Sequence, residues 1–194
     1  MSESPRLTGY EVLVGVCGGI AAYKVAHLVS RLAQHGVGVT VAMTPAATKF
    51  VGPLTFEALS RRRVYQDIFD ADGDHDQHHI RLTEIADLML IAPATANIIG
   101  KIASGIADDL VSILAMSADC PVALAPSMNT RMWKSPIVQR NMKTLVEHGY
   151  LAIDPEEGWL ACRTVGAGRM ADPDVILQAV TQKLQSTPPK NTSA

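Results

Sequence analysis

Cys162 stands in Ala161-Cys162-Arg163-Thr164-Val165-Gly166-Ala167-Gly168-Arg169-Met170. A thiol on such a glycine-bearing stretch can close over a ligand and give up a proton. A second cluster, Ala125-Pro126-Ser127-Met128-Asn129-Thr130-Arg131-Met132-Trp133, sets an Asn, two Met and a Trp within nine residues. Those side chains are costly on a loop that touches nothing, and the Asn129 amide can donate to a carboxylate without adding a charge to hold it. The competing reading is a capped turn after a strand. His75, His78 and His79 lie among four aspartates. A histidine is largely neutral at pH 7 and can take a proton, but residue type alone does not choose among the three. No Cys-x-x-Cys or His-x-x-x-His pattern completes a ligand set, so no metal is expected. Cys17 and Cys120 read as inert thiols.

Two further segments suit an anionic or planar ligand. Gly15-Val16-Cys17-Gly18-Gly19-Ile20 is a glycine turn feeding a helix whose free N–H groups can hold a phosphate, or a tight turn where only glycine fits. It is not the G-x-G-x-x-G dinucleotide fingerprint, and Ala42-Met43-Thr44-Pro45 brings no acid for a ribose hydroxyl, which disfavours NAD. Thr44, Thr48 and Phe50 offer hydroxyls and an aromatic wall, or a helix cap and a core residue. Ala92-Pro93-Ala94-Thr95-Ala96-Asn97 lets a ligand approach the backbone, or caps a helix through Thr95 or Asn97.

These residues need a frame, and hydropathy patterning supplies one. Short β-branched runs at 11–17, 38–43, 86–92, 121–125 and 150–153 alternate with helix-length segments at 19–35, 53–61, 98–117, 136–148 and 173–184. Val12-Leu13-Val14 and Leu88-Met89-Leu90-Ile91 are apolar without alternation, as parallel strands covered on both faces require. The reading is an α/β fold, a doubly wound open parallel sheet whose ligands collect at the strands' carboxyl ends. One domain over 10–184 is expected, with loose ends at 1–9 and 185–194 and a surface loop at 67–79. Of 194 residues 47% are hydrophobic and 19% charged, enough for a real core. With 17 Lys and Arg against 19 Asp and Glu, scattered, no footprint for nucleic acid exists. Three cysteines, no signal-like start and no apolar run of about 20 residues point to a soluble cytoplasmic protein without membrane contact.

Taken in order, Gly18-Gly19-Ile20-Ala21, Pro93-Ala94-Thr95-Ala96-Asn97, Pro126-x-Met128-Asn129-x-x-Met132-Trp133 and Ala161-Cys162-x-x-x-Gly166-x-Gly168-x-Met170 resemble the homo-oligomeric flavin-containing cysteine decarboxylases. The resemblance implies a flavodoxin-like (Rossmann-like) sheet and FMN at subunit interfaces of a homotrimer or a dodecamer of trimers. It also implies decarboxylation of a small phosphorylated cysteine amide in coenzyme A biosynthesis. By position it carries FMN contacts to Gly18, Gly19, Ile20, Thr44, Phe50, Thr95, Ala96 and Asn97. It carries catalytic roles to His79 as base, Cys162 as proton donor and Asn129 at the carboxylate. The substrate is then expected against Met128, Asn129, Met132, Gly166, Gly168 and Arg169, with Lys24 or Arg169 at its phosphate.

Such a substrate holds its nitrogen in an amide, so a Schiff base is unavailable and the carboxylate needs another electron sink, which a flavin can create by oxidising the thiol. This chain departs from the family pattern at Arg163, where glycine is usual, and at Ser127, where alanine is usual. The usual Trp before Ala-Asp is Ile85. Many relatives continue into a synthetase domain, so the decarboxylase half alone is expected here, with a separate ligase as a possible partner. Rival expectations are a peptidyl-cysteine decarboxylase releasing an unreduced enethiol, a flavin prenyltransferase, and a non-catalytic FMN-fold regulatory subunit.

Overall fold

A computed structural model describes residues 7–67 and 78–190, with the backbone alone for 78–80. The chain runs β1 (Glu11–Val16), α1 (Ala22–Gln34), β2 (Gly38–Met43), α2 (Pro53–Ser60), β3 (Val64–Tyr65), α3 (His78–Ile85) and β4 (Leu88–Ala94). It continues through α4 (Ala96–Ala103), α5 (Leu110–Met116), β5 (Val122–Pro126), α6 (Thr130–Trp133), α7 (Pro136–Glu147) and β6 (Leu151–Ala152). A hairpin, β7 (Glu156–Trp159) and β8 (Val165–Arg169), precedes α8 (Pro173–Gln185).

The six-stranded sheet is ordered β3-β2-β1-β4-β5-β6, and every pairing in it is parallel. Without the two-residue edge strand β3, the remaining strands follow the 2-1-3-4-5 order of flavodoxin-like folds. Period-two alternation divides the central strands between two cores. Val12, Val14, Leu88 and Leu90 pack with α1, α2 and α8, whereas Leu13, Met89 and Ile91 pack with α3, α4, α5 and α7. Both faces are therefore dry, which is why the runs lack a polar alternate. Chain order reverses between β1 and β4, so the turns after these two strands diverge and leave a crevice at their carboxyl ends.

Several boundaries depart from the sequence expectations. The single helix expected at 98–117 is two, α4 and α5. Gly105, at φ +71°, follows the α4 cap, while Ile106 N–H donates to Lys101 O at 2.9 Å and Gly105 N–H to Ile102 O at 3.1 Å, a Schellman stop. Asp109 then restarts the chain with a capping box, taking Ser112 N–H at 3.0 Å. The loop expected over 67–79 gives way to helix by His78, and 68–77 lie outside the described residues.

Part of each end expected to be loose carries contacts. Leu7 is buried, and its N–H donates to His35 O at 2.8 Å. Tyr10 donates its hydroxyl to Thr187 O at 2.9 Å, and the Lys190 N–H reaches Asp87 Oδ1 at 2.6 Å. These polar tethers do the anchoring that the apolar-poor tail composition does not signal. No helix among the described residues is long and apolar enough to cross a membrane.

Candidate active site

Four strand ends and the hairpin surround one cavity of about 1130 Å³. The turn after β1 contributes Cys17 to Ala21, the end of β2 contributes Thr44 to Ala46, and the β4–α4 junction contributes Thr95 to Ile98. Ser127, Met128 and Asn129 come from the end of β5, and Trp159 to Cys162 and Gly168 to Met170 from the hairpin. Such a volume exceeds that of an ordinary single-ligand pocket.

The first wall is built for close approach. A Cβ on Gly18 would run into Ala46 Cβ, so only glycine lets the β1–α1 turn lie against the end of β2. Thr95 is the N-cap of α4, its hydroxyl accepting from Ile98 N–H at 3.4 Å, and the first-turn N–H groups of this helix face the crevice end of the sheet. Thr44 is buried, and its Oγ1 accepts from Ala47 N–H at 3.3 Å. The Thr95 hydroxyl therefore caps a helix and the Thr44 hydroxyl closes a turn, and both residues also line the cavity.

The second wall is set by a cap and a backbone clasp. Asn129 begins α6 and takes Met132 N–H on Oδ1 at 2.9 Å. Met128 N–H donates to Gly168 O at 2.9 Å, joining the β5 loop to β8. Gly168 has φ +113°, and a Cβ there would approach Met128 O to 2.5 Å, so glycine is required twice over. Gly166 instead accommodates Thr130, whose side chain occupies the space a Cβ would fill, and it does not line the cavity.

The hairpin tip brings in Cys162. Arg163 N–H donates to Leu160 O and Leu160 N–H to Thr164 O, both at 2.9 Å, with Arg163 left-handed at φ 63°. This three-residue turn needs one residue at positive φ, a position that favours glycine and that arginine fills here. Cys162 is exposed, and its Sγ lies 3.1 Å from Thr164 Oγ1.

Charge is distributed unevenly. Lys101 meets Asp108 and Asp109 at 2.6 Å each, and those hydrogen bonds raise its pKa. Burial would raise the Asp109 carboxyl, but bonds from Lys101 and Ser112 win and hold it below 3.8. Lys24 differs. Among the described residues its buried Nζ has no hydrogen-bond partner, and desolvation followed by the nearby Arg169 charge pulls its pKa down from 10.5, with Asp172 and Glu156 partly offsetting them. A buried unpartnered ammonium in a cavity wall is suited to an anionic ligand. Cys17 is fully buried, and desolvation, reinforced by Asp109, pushes its thiol far up, making it inert.

Of the expected site residues, Gly18, Gly19, Ile20, Lys24, Thr44, Thr95, Ala96, Asn97, Met128, Asn129, Met132, Cys162, Gly168 and Arg169 line this one cavity. Phe50 does not; it closes a short 3-10 turn and is 49% exposed. His79 sits in the first turn of α3, and its side chain lies outside the described residues. Tyr23, Trp159, Lys101 and Asp109 also line the cavity and were not expected there. Tyr23 and Trp159 are 61% and 64% exposed, and an aromatic beside a motif is the signal that marked them.

Comparison with known proteins agrees with this geometry. A family model described as Flavoprotein matches residues 1–185. The coenzyme A biosynthesis bifunctional protein CoaBC of Bacillus subtilis (strain 168) is 48% identical over 172 residues, 89% of this chain and 42% of that protein. The chain thus spans less than half the length of the curated relatives it matches. A PPC decarboxylase cysteine mutant complexed with pantothenoylaminoethenethiol superposes with a TM-score of 0.84 at 30% identity, covering 91% of this chain and 98% of the other. The FMN-dependent cysteine decarboxylase SpaF gives 0.78 at 35% identity, covering 91% and 98%.

Proposed function

The chain belongs to the flavoprotein family, and from that premise we propose that it is an FMN-dependent decarboxylase converting 4'-phosphopantothenoylcysteine to 4'-phosphopantetheine in coenzyme A biosynthesis. The observation that carries this reading is the convergence of the glycine turn, Asn129, Lys24 and Cys162 on one cavity wide enough for a cofactor and a substrate.

The residues present fit FMN. The close-packed Gly18 turn and the capped start of α4 leave backbone N–H groups for a phosphate, and Ile20, Ala96 and Asn97 complete the wall. Bound FMN supplies the two-electron oxidation of the substrate CH2–SH to a thioaldehyde and later returns the hydride. In a thioaldehyde the C=S bond lies β to the carboxylate and receives the electrons released as CO2 departs. Asn129, its oxygen committed to the α6 cap, presents its amide N–H to the carboxylate and adds no charge that would hold it. Lys24 meets the substrate's phosphate with Arg169 beside it. Met128 and Met132 give the substrate an adaptable apolar contact. His79 is the base for the oxidation. Cys162 returns a proton to the enethiolate carbon, so the product leaves as a saturated thiol.

Ile20 and Tyr23 line the cavity yet are more than half exposed, which supports a second copy over its mouth. In a homotrimer, or a dodecamer of trimers, the exposed Phe50 would help hold FMN from a neighbouring copy. A phosphopantothenate–cysteine ligase, whether continuous with the chain or separate, supplies the substrate.

Incubation of the purified protein with 4'-phosphopantothenoylcysteine and, separately, with a peptide ending in cysteine tests this reading. CO2 and the saturated thiol from the small substrate support it. An enethiol from the peptide, with the small substrate untouched, replaces it by the peptidyl-cysteine reading.

A further inference from the structure

The Cys162 thiol is not alone at the hairpin tip. Thr164 places its hydroxyl 3.1 Å from Sγ, close enough for either atom to donate. The threonine is itself fixed: its carbonyl accepts Leu160 N–H at 2.9 Å, and the pairing of Trp159 with Val165 begins immediately beyond it. A β-branched residue has few side-chain rotamers, so a pinned backbone aims the hydroxyl. The left-handed Arg163 between the two residues turns the chain so that i and i+2 side chains meet across the bend.

We propose that Thr164 is a positioning residue for proton transfer. Its hydroxyl accepts from the Cys162 S–H while the thiol is intact and donates to the thiolate that remains once the proton has gone. The inference rests on the reading of Cys162 as the proton donor. In the step concerned, the Cys162 S–H bond breaks and the proton bonds to the carbon that lost CO2. The electron pair for that C–H bond comes from the enethiolate, whose sulfur returns to C=S; the hydride that completes the thiol is the chemistry FMN would supply when bound. A hydroxyl that turns from acceptor to donor follows the sulfur through its change of charge without moving. A hydroxyl hydrogen-bonded to the sulfur also holds it in one orientation toward an incoming alkylating agent, so its influence reaches beyond turnover.

The test uses the FMN-loaded full chain with 4'-phosphopantothenoylcysteine, comparing Thr164→Val, Thr164→Ser and Cys162→Ser. In Thr164→Val the ratio of enethiol to saturated thiol, distinguished by two hydrogens of mass, rises about tenfold or more while CO2 release stays within about twofold. Alkylation of Cys162 by iodoacetamide near neutral pH, read by peptide mass without substrate, slows about threefold or more, and Thr164→Ser restores both values. Unchanged product ratio and alkylation in Thr164→Val, with enethiol accumulating in Cys162→Ser, overturn the role of Thr164 and leave that of Cys162 standing. Saturated thiol from Cys162→Ser overturns both.

Discussion

The Asn129 side-chain oxygen takes the Met132 backbone N–H at 2.9 Å, so one bond both starts α6 and leaves the amide nitrogen for a ligand. A carboxylate at position 129 would cap the helix equally well but repel the departing carboxylate. Cap and chemistry are thus separable by substitution.

Asn129→Asp is expected to keep the melting temperature within about 2 °C of wild type, since Asp caps as well as Asn, and to lower kcat about 100-fold or more. Asn129→Ala should lose comparable activity and also about 1 kcal/mol of stability. Thermal unfolding and CO2 release on the same preparations check the pair. A retained kcat in Asn129→Asp would leave the residue as a cap only.

Gly18→Ala forces a methyl group against Ala46, and the turn must shift to admit it. Flavin affinity should fall about tenfold or more, because backbone donors that cradle a phosphate act only at close range. Titration of flavin-free protein with FMN, followed by fluorescence, measures it.

Lys24→Met removes an ammonium that has no hydrogen-bond partner among the described residues and lies near Arg169. The variant should melt higher than wild type without ligand, yet show KM for the phosphorylated substrate raised about tenfold or more, a stability gain bought with function. The pH dependence carries a sign. With the folded pKa lowered, the unfolded chain holds more protons between that value and 10.5, so wild-type stability gains from this group as pH rises through the window. In Lys24→Met that contribution vanishes.

Asp109 has the same sign of pH dependence, at the acid end of the scale. Its folded pKa lies below 3.8, so its contribution is present above 3.8 and is lost as pH falls through the folded value. Asp109→Asn keeps a capping side chain but loses the Lys101 ion pair, and should unfold about 1–2 kcal/mol more easily at pH 7. Urea unfolding at neutral and acid pH should show that gap closing in acid.

Much of this was legible in the residues. Val12 to Val14 and Leu88 to Ile91 are apolar on both sides because helices cover both faces, and that continuous pattern marks a parallel strand. The glycine turn and the Thr95 and Asn129 segments follow strands of the parallel sheet, so the switch-point rule brings them to one crevice, whereas Cys162 reaches it on the hairpin. The hairpin was hidden for a physical reason. Glu156 to Trp159 and Val165 to Arg169 are short, partly exposed and glycine-bearing, so no apolar alternation announces them. Gly105 and the Asp109-x-x-Ser112 box were the available signals that one long helix is two. That Lys24 Nζ has no hydrogen-bond partner among the described residues is a property of packing and has no sequence signature.

The most direct test of the account is anaerobic mixing of the FMN-loaded protein with 4'-phosphopantothenoylcysteine while flavin absorbance and CO2 are recorded together. The account predicts that Cys162→Ser bleaches the flavin as CO2 appears, because thiol oxidation precedes decarboxylation and the reducing equivalents have no acid-assisted return. A protein that remains colourless with added FMN, or releases CO2 from this variant with no change in flavin absorbance, would contradict it.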